Sequence, residues 1–168
     1  MELSRGLTAV LLDRDGVVNR ERGEHTWRVE DFEVLPDVAA VLKELDKSGI
    51  PVAIITNQSG IGLGLHTEAD LEKVHGYLHD RLTNAGAPMP LILHCPHHPN
   101  NGKCLCRKPG HLLVQRALAL LNAVAEGSVF IGDRQRDMDA AIAAGVLGVL
   151  VPANAPLRPV MQKLERLP

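Results

Sequence analysis

Aromatic side chains are scarce in this sequence, with one Trp, one Tyr and two Phe among 168 residues. Such a chain offers no surface on which nucleic-acid bases would stack. Charge of one sign is lacking too. Eighteen Lys and Arg stand against twenty Asp and Glu, a formal net charge of -2, so neither nucleic acid nor an anionic membrane finds an electrostatic footprint. No apolar run approaches the roughly 18 residues that a membrane span needs. Met1 to Arg14 lacks the order of a secretory signal, because its apolar stretch leads straight into Asp13-Arg14-Asp15. A cytoplasmic location is the expectation. Cysteine is sparse as well: Cys95, Cys104 and Cys106 fall within twelve residues, and an odd, clustered set in such a compartment suggests metal before disulfide.

What is present is ordinary globular material, 45% hydrophobic and 23% charged, and one domain over residues 1–168 is expected. Short aliphatic runs alternate with amphipathic stretches. Strands are predicted over Leu7 to Leu12, Val52 to Ile55, Leu91 to Leu93, Ser128 to Ile131 and Leu147 to Val151. Helices are predicted over Asp37 to Ser48, from Thr67 onward with Thr67 and Asp70 as a capping box, over Leu112 to Ala125 and over Asp137 to Ala144, with a short one near the end. The alternation is that of an α/β fold, a doubly wound parallel sheet. Arg14 to Pro36 and Cys95 to Gly110 show no regular pattern, and long irregular loops in a compact domain are usually functional.

Polar clusters stand where three strands run out: Asp13-Arg14-Asp15-Gly16, Thr56-Asn57-Gln58-Ser59-Gly60 and Gly132-Asp133. In an open parallel sheet, ligands bind beyond the carboxyl ends of the strands. With strand one between strands two and four, the three loops converge. A carboxylate there can attack phosphorus, which splits phosphate-ester hydrolysis into two steps. A second carboxylate two residues on can protonate the leaving oxygen and then activate water. Asp13 is the candidate nucleophile and Asp15 the acid/base. Asp13, Asp15 and Asp133 cannot approach a phosphate without a hard cation, so Mg²⁺ is expected. Thr56 is placed to hydrogen-bond the phosphoryl oxygens and Lys108 to neutralise charge in the transition state. An isolated Asp-x-Asp more often caps a turn; the matching clusters at two further strand ends are what favour chemistry here.

Cys95-Pro96-His97-His98-Pro99 is followed by Cys104-Leu105-Cys106. Cys95, His97, Cys104 and Cys106 supply four ligands for a closed tetrahedral site, the arrangement of structural Zn²⁺. A loop of this length buries too little apolar surface to order itself, and a metal clip supplies the difference.

Taken together, these motifs resemble the haloacid dehalogenase superfamily of phosphohydrolases. Leu11 to Asn19 looks like its first motif, Ile55 to Gly60 its second, Lys108 in Cys106-Arg107-Lys108-Pro109-Gly110 its third, and Gly132 to Asp137 its fourth. The resemblance implies a capless Rossmann-like domain with a zinc-stabilised loop, and magnesium held by Asp13, the backbone carbonyl of Asp15, and Asp133. The cysteine-histidine loop is most similar to the subgroup that holds the heptose-bisphosphate 7-phosphatases and the histidinol-phosphate phosphatases. It implies a hydrolase of carbohydrate metabolism whose partner is a small phosphorylated metabolite, with the heptose branch the nearer; a monomer is expected. Substrate contacts are then expected from Asn19, Arg20, Glu21, Arg22, Asn57, Gln58, Ser59, Arg107 and Arg134. A phosphotransferase and a zinc-stabilised, non-catalytic scaffold are the alternatives.

Overall fold

The computed structural model describes residues 6–164, so the ends of the expected 1–168 domain lie outside the described residues. In chain order its elements are β1 (Ala9–Leu12), α1 (Val38–Lys47), β2 (Val52–Asn57), α2 (Ser59–Gly62), α3 (Glu68–Asn84), β3 (Leu91–Cys95), α4 (Leu112–Leu120), β4 (Ser128–Gly132), α5 (Gln135–Ala143), β5 (Leu147–Leu150) and α6 (Arg158–Leu164). The five strands form one parallel sheet in the order β3-β2-β1-β4-β5, so β1 does stand between β2 and β4.

Helices cover both faces of the sheet, which is why its central strands read as unbroken apolar runs. Val10 and Leu12 pack with Ile54, Val129 and Ile131 against α1, α3 and α6. Ala9 and Leu11 point the other way, with Ala53, Ile55 and Phe130, onto α4 and α5. All four residues of β1 are fully buried. Removing a side chain here opens a cavity, and a Leu→Ala change at Leu11 or Leu12 costs roughly 2–5 kcal/mol.

The structure departs from the sequence expectations in several places. β2 continues to Asn57 and β3 to Cys95, because pairing persists through Thr56↔His94 and Asn57↔Cys95 where polarity suggested a loop. α4 stops at Leu120, not Ala125, and Asn122 follows in the left-handed region at φ 52. α5 begins two residues early, at Gln135. Asp37 precedes α1 without capping it through its side chain; its Oδ2 accepts instead from the amide of Arg158 at 2.8 Å, which ties α6 to α1. The Thr67–Asp70 capping box forms as expected. Each irregular segment contains a short 3₁₀ turn, and among the described residues no second folded layer caps the strand ends.

Candidate active site

Asp13 is the first residue past β1, and its amide still pairs with the carbonyl of Ile131 at 2.9 Å. The strand therefore carries the carboxylate to the rim and holds it there. Gly16 then turns the chain away at φ +89. A Cβ on Gly16 would lie 2.5 Å from Oδ2 of Asp133, so glycine is needed both for the turn and for the approach of the first loop to the fourth.

Lys108 reaches the centre of this cluster from the cysteine-histidine loop and is 1% exposed. Its Nζ lies 2.8 Å from Oδ1 of Asp13, 2.7 Å from Oδ1 of Asp137 and 2.8 Å from the carbonyl of Ile55. Two of these contacts are hydrogen bonds, to Asp13 and to Ile55; the third is an ion pair in which Oδ1 of Asp137 accepts no hydrogen bond, and together they offset the burial of the cation. Asn57 fixes the backbone behind it, donating to the carbonyl of Lys108 at 3.1 Å and accepting from its amide at 3.0 Å. Asp137 was not among the expected site residues. It is fully buried, and its Oδ2 also accepts from the amide of Arg134 at 3.0 Å, satisfying a donor at the start of α5. A carboxylate four residues beyond Asp133 at a helix start was the available signal.

Asp15 sits beside Asp13, its side chain about a quarter exposed. Its Oδ1 accepts from Nη2 of Arg14 at 2.9 Å and Nδ2 of Asn19 at 3.0 Å; its Oδ2 accepts from Nε2 of Gln58 at 3.1 Å. Burial alone would raise its carboxyl, but the Arg14 guanidinium, with Asn19 and Gln58, holds it below the ordinary value. Asp13 behaves oppositely: burial pushes it up to about 7, against the pull of Lys108. Thr56 is buried, and its hydroxyl accepts from Gln58 at 2.8 Å, which leaves the hydroxyl proton to donate. Burial, reinforced by Arg14 and His94, pushes His75 down to about 4, so the imidazole is neutral where its Nε2 lies 3.4 Å from Nη1 of Arg14.

Above this floor opens a cavity of about 270 Å³. Of the expected residues, Asp13, Asp15, Glu21, Thr56, Asn57, Gln58, Ser59, Arg107, Asp133 and Arg134 line it. Asn19 is fully buried behind Asp15. Arg20 and Arg22 do not line the cavity and pair with Glu33 at 2.7 Å and Asp31 at 3.3 Å. Glu24, His25 and Thr26 line it without having been expected, since a loop without periodicity does not announce which way its residues face, and so does Arg136 in the first turn of α5.

The floor fits a hard cation. Asp13, Asp133 and Asp137 bring carboxylate oxygens within 4.8 Å of one another. Neither oxygen of Asp133 has a hydrogen-bond donor although both are buried, with Nε of Arg134 at 3.4 Å, and burial raises its carboxyl. Asp13, Asp15, Asp133 and Asp137 face only two buried cations, Arg14 and Lys108, an excess of two negative charges. At the end of β3, Cys95, His97, Cys104 and Cys106 also bring one ligand atom each within 4.8 Å. Sγ of Cys95 lies 3.7 Å from that of Cys104 and 3.5 Å from Nδ1 of His97, near the roughly 3.5–3.8 Å edges of a tetrahedron with zinc-length bonds, while Sγ of Cys106 is closer in, 3.1 Å from Cys95 and 3.2 Å from His97. The loop is also tied to β2 and α2 by Gln58 N to Cys95 O and Gly62 N to Pro96 O, each 2.8 Å.

The chain matches a HAD-hydrolase-like family model over residues 105–165. The D-glycero-beta-D-manno-heptose-1,7-bisphosphate 7-phosphatase of Escherichia coli K12 is 34% identical over 164 residues, 94% of this chain and 85% of the relative. Its counterpart in Pseudomonas putida is 36% identical over 142 residues, 84% of this chain and 81% of that one. The crystal structure of D,D-heptose 1,7-bisphosphate phosphatase from B. bronchiseptica, complexed with magnesium and phosphate, superposes with a TM-score of 0.82 at 31% identity, covering 93% of this chain and 87% of that one.

Proposed function

We infer the activity from one premise: the chain belongs to the haloacid dehalogenase-like hydrolases. It is a magnesium-dependent phosphomonoesterase that works through an aspartyl-phosphate, and its substrate is D-glycero-D-manno-heptose-1,7-bisphosphate, cleaved at the 7-phosphate. The observation that carries the chemistry is the buried Asp13–Lys108–Asp137 group next to the unpartnered carboxylate of Asp133.

Asp13 attacks phosphorus while the bond to the sugar oxygen breaks, and Asp15 gives that oxygen its proton. Arg14, Asn19 and Gln58 favour the ionised form of Asp15; a phosphoryl dianion arriving beside it favours the protonated form. Asp15, now a carboxylate, then takes a proton from the water that opens the aspartyl-phosphate. The Thr56 hydroxyl donates to a phosphoryl oxygen, and Lys108, fixed by Asp13, Asp137 and the carbonyl of Ile55, sets a positive charge beside the phosphoryl group without reorganisation. Magnesium, held by Asp13, Asp133 and the carbonyl of Asp15, would offset the charge of the carboxylates and the phosphate. Cys95, His97, Cys104 and Cys106 would hold zinc in a closed structural site, which would keep Arg107 and Lys108 in place. Glu21, Gln58, Ser59, Arg107 and Arg134 meet the substrate, while Asn19 and Asn57 act from behind. Support for the heptose comes from the names of the Escherichia coli and B. bronchiseptica relatives and from guanidiniums at the rim suited to a second phosphate.

The test is phosphate release from heptose-1,7-bisphosphate against histidinol phosphate, with the remaining phosphate located on the product. A higher kcat/KM for heptose-1,7-bisphosphate with loss of the 7-phosphate is expected. A preference for histidinol phosphate overturns the substrate while leaving the aspartyl-phosphate chemistry standing.

A further inference from the structure

Arg14 lies between the two reacting carboxylates and has no part in the steps above. It is fully buried, at a desolvation cost that its terminal nitrogens offset while Nε is left without a partner. Nη2 donates to Oδ1 of Asp15 at 2.9 Å and to the carbonyl of Thr26 at 2.8 Å. Nη1 faces Nε2 of His75 on α3 at 3.4 Å, and the guanidinium carbon sits 5.4 Å over the ring of Phe32. The group is thus braced by a helix, by an aromatic face and by the loop whose residues Glu24, His25 and Thr26 line the cavity.

The two oxygens of Asp15 are consequently unlike. Oδ1 takes donors from Arg14 and from Asn19, both fully buried. Oδ2 takes only Nε2 of Gln58, a residue that lines the cavity. We propose that Arg14 is a positioning residue: with Asn19 it locks Oδ1 of Asp15, so that Oδ2 is the oxygen that carries the catalytic proton. In the first step the O–P bond to Asp13 forms, the P–O bond to the sugar breaks, and the proton on Oδ2 passes to the departing oxygen, leaving Asp15 as a carboxylate. Through the carbonyl of Thr26 the same guanidinium joins that orientation to the loop over the substrate. This inference rests on the reading of Asp15 as the acid.

An acid matters only to a leaving group that needs a proton, and that separates positioning from structure. Single-turnover phosphoryl transfer is measured in the enzyme holding magnesium and zinc, with the sugar bisphosphate and with 4-nitrophenyl phosphate, whose phenolate departs unprotonated. Arg14→Gln should slow transfer from the sugar ester by about 10²-fold, the scale of a general acid, and from the aryl ester by less than about threefold. The loss should persist in the transfer rate at saturating sugar, where substrate binding no longer contributes. Arg14→Lys should recover part of the loss, because one ammonium cannot span both acceptors of the fork. Equal losses on the two esters, or none, overturn the proposal. Where Arg14→Gln fails to fold, Asn19→Ala removes the other donor to the same oxygen without removing a charge. It must show the same split, smaller, and an unsplit result there also overturns it. Asp15→Asn, run alongside, keeps the two readings apart. A split with Asp15→Asn but not with the Arg14 and Asn19 variants sinks the positioning role alone, whereas no split with Asp15→Asn sinks the acid itself.

Discussion

Replacing Asp137 by Asn should destabilise the protein by about 2.5–4 kcal/mol, far more than the near-identical shapes of the two side chains suggest. Asp137 uses both oxygens: Oδ1 at 2.7 Å from the ammonium of Lys108, and Oδ2 accepting from the amide of Arg134 at 3.0 Å. Asparagine has one oxygen. Whichever contact it keeps, its NH₂ is turned towards a donor in the other. Losing a charged contact to Lys108 is worth about 1.5–3 kcal/mol, and losing the bond at the start of α5 about 1 kcal/mol more. The burial of both residues means that water cannot step in. Urea unfolding followed by circular dichroism, with zinc bound, measures the change as a shift in midpoint at constant slope. Combined with Lys108→Met, the Asn variant should cost much less than it does alone, giving a coupling of about 2 kcal/mol or more in the double-mutant cycle. Turnover should fall with the single change, because Lys108 loses one of its three anchors. A destabilisation under about 1 kcal/mol, or additive effects of the two changes, would refute the reasoning.

Asp13→Asn should abolish turnover and leave Tm unchanged or higher, since it removes a carboxylate whose burial is unfavourable; residual activity near the unmodified level refutes covalent catalysis by Asp13. Chelating the cysteine-histidine site should lower Tm and turnover together even with magnesium supplied, and restoring zinc should return both; chelated protein with full activity overturns the structural role. The carboxyl of Asp13 is raised from 3.8 to about 7, so the folded state holds its proton more tightly than the unfolded state. Stability of the magnesium-free protein should therefore fall as pH rises between about 4 and about 7. Magnesium needs the ionised form, so the Tm gain it produces should grow from pH 5 to pH 8 in a thermal-shift series. A gain independent of pH contradicts this account of Asp13.

Much of the architecture was legible because its signals are local. Apolar runs of four to six residues, the Thr67–Asp70 pair and glycines after helices mark elements without reference to the rest of the chain. Asp13, Thr56 and Asp133 were legible because each ends a strand. Harder to read were properties set by contacts distant in sequence. Nothing near Asp137 states that Lys108 will reach it, and nothing near Arg14 states that His75, Phe32 and the carbonyl of Thr26 will enclose it. Arg20 and Arg22 are expected from the sequence to contact substrate, and only the fold of the loop pairs them with Glu33 and Asp31. The ends of β2 and β3 were set short because Thr56, Asn57 and His94 are polar, whereas ladder pairing with neighbouring strands decides where a strand stops.

The enclosure of Lys108 by three oxygens bears on the order in which the molecule assembles. Its ammonium joins Asp13, 95 residues away, to the carbonyl of Ile55, 53 residues away, and to a carboxylate at the start of α5. Closing such separations is among the slower events available to a chain, and the ammonium cannot be desolvated favourably until all three acceptors are in place. Refolding should therefore regain helix content first and catalytic competence last, with the charged centre acting as a check that β1, β2 and β4 have found one another.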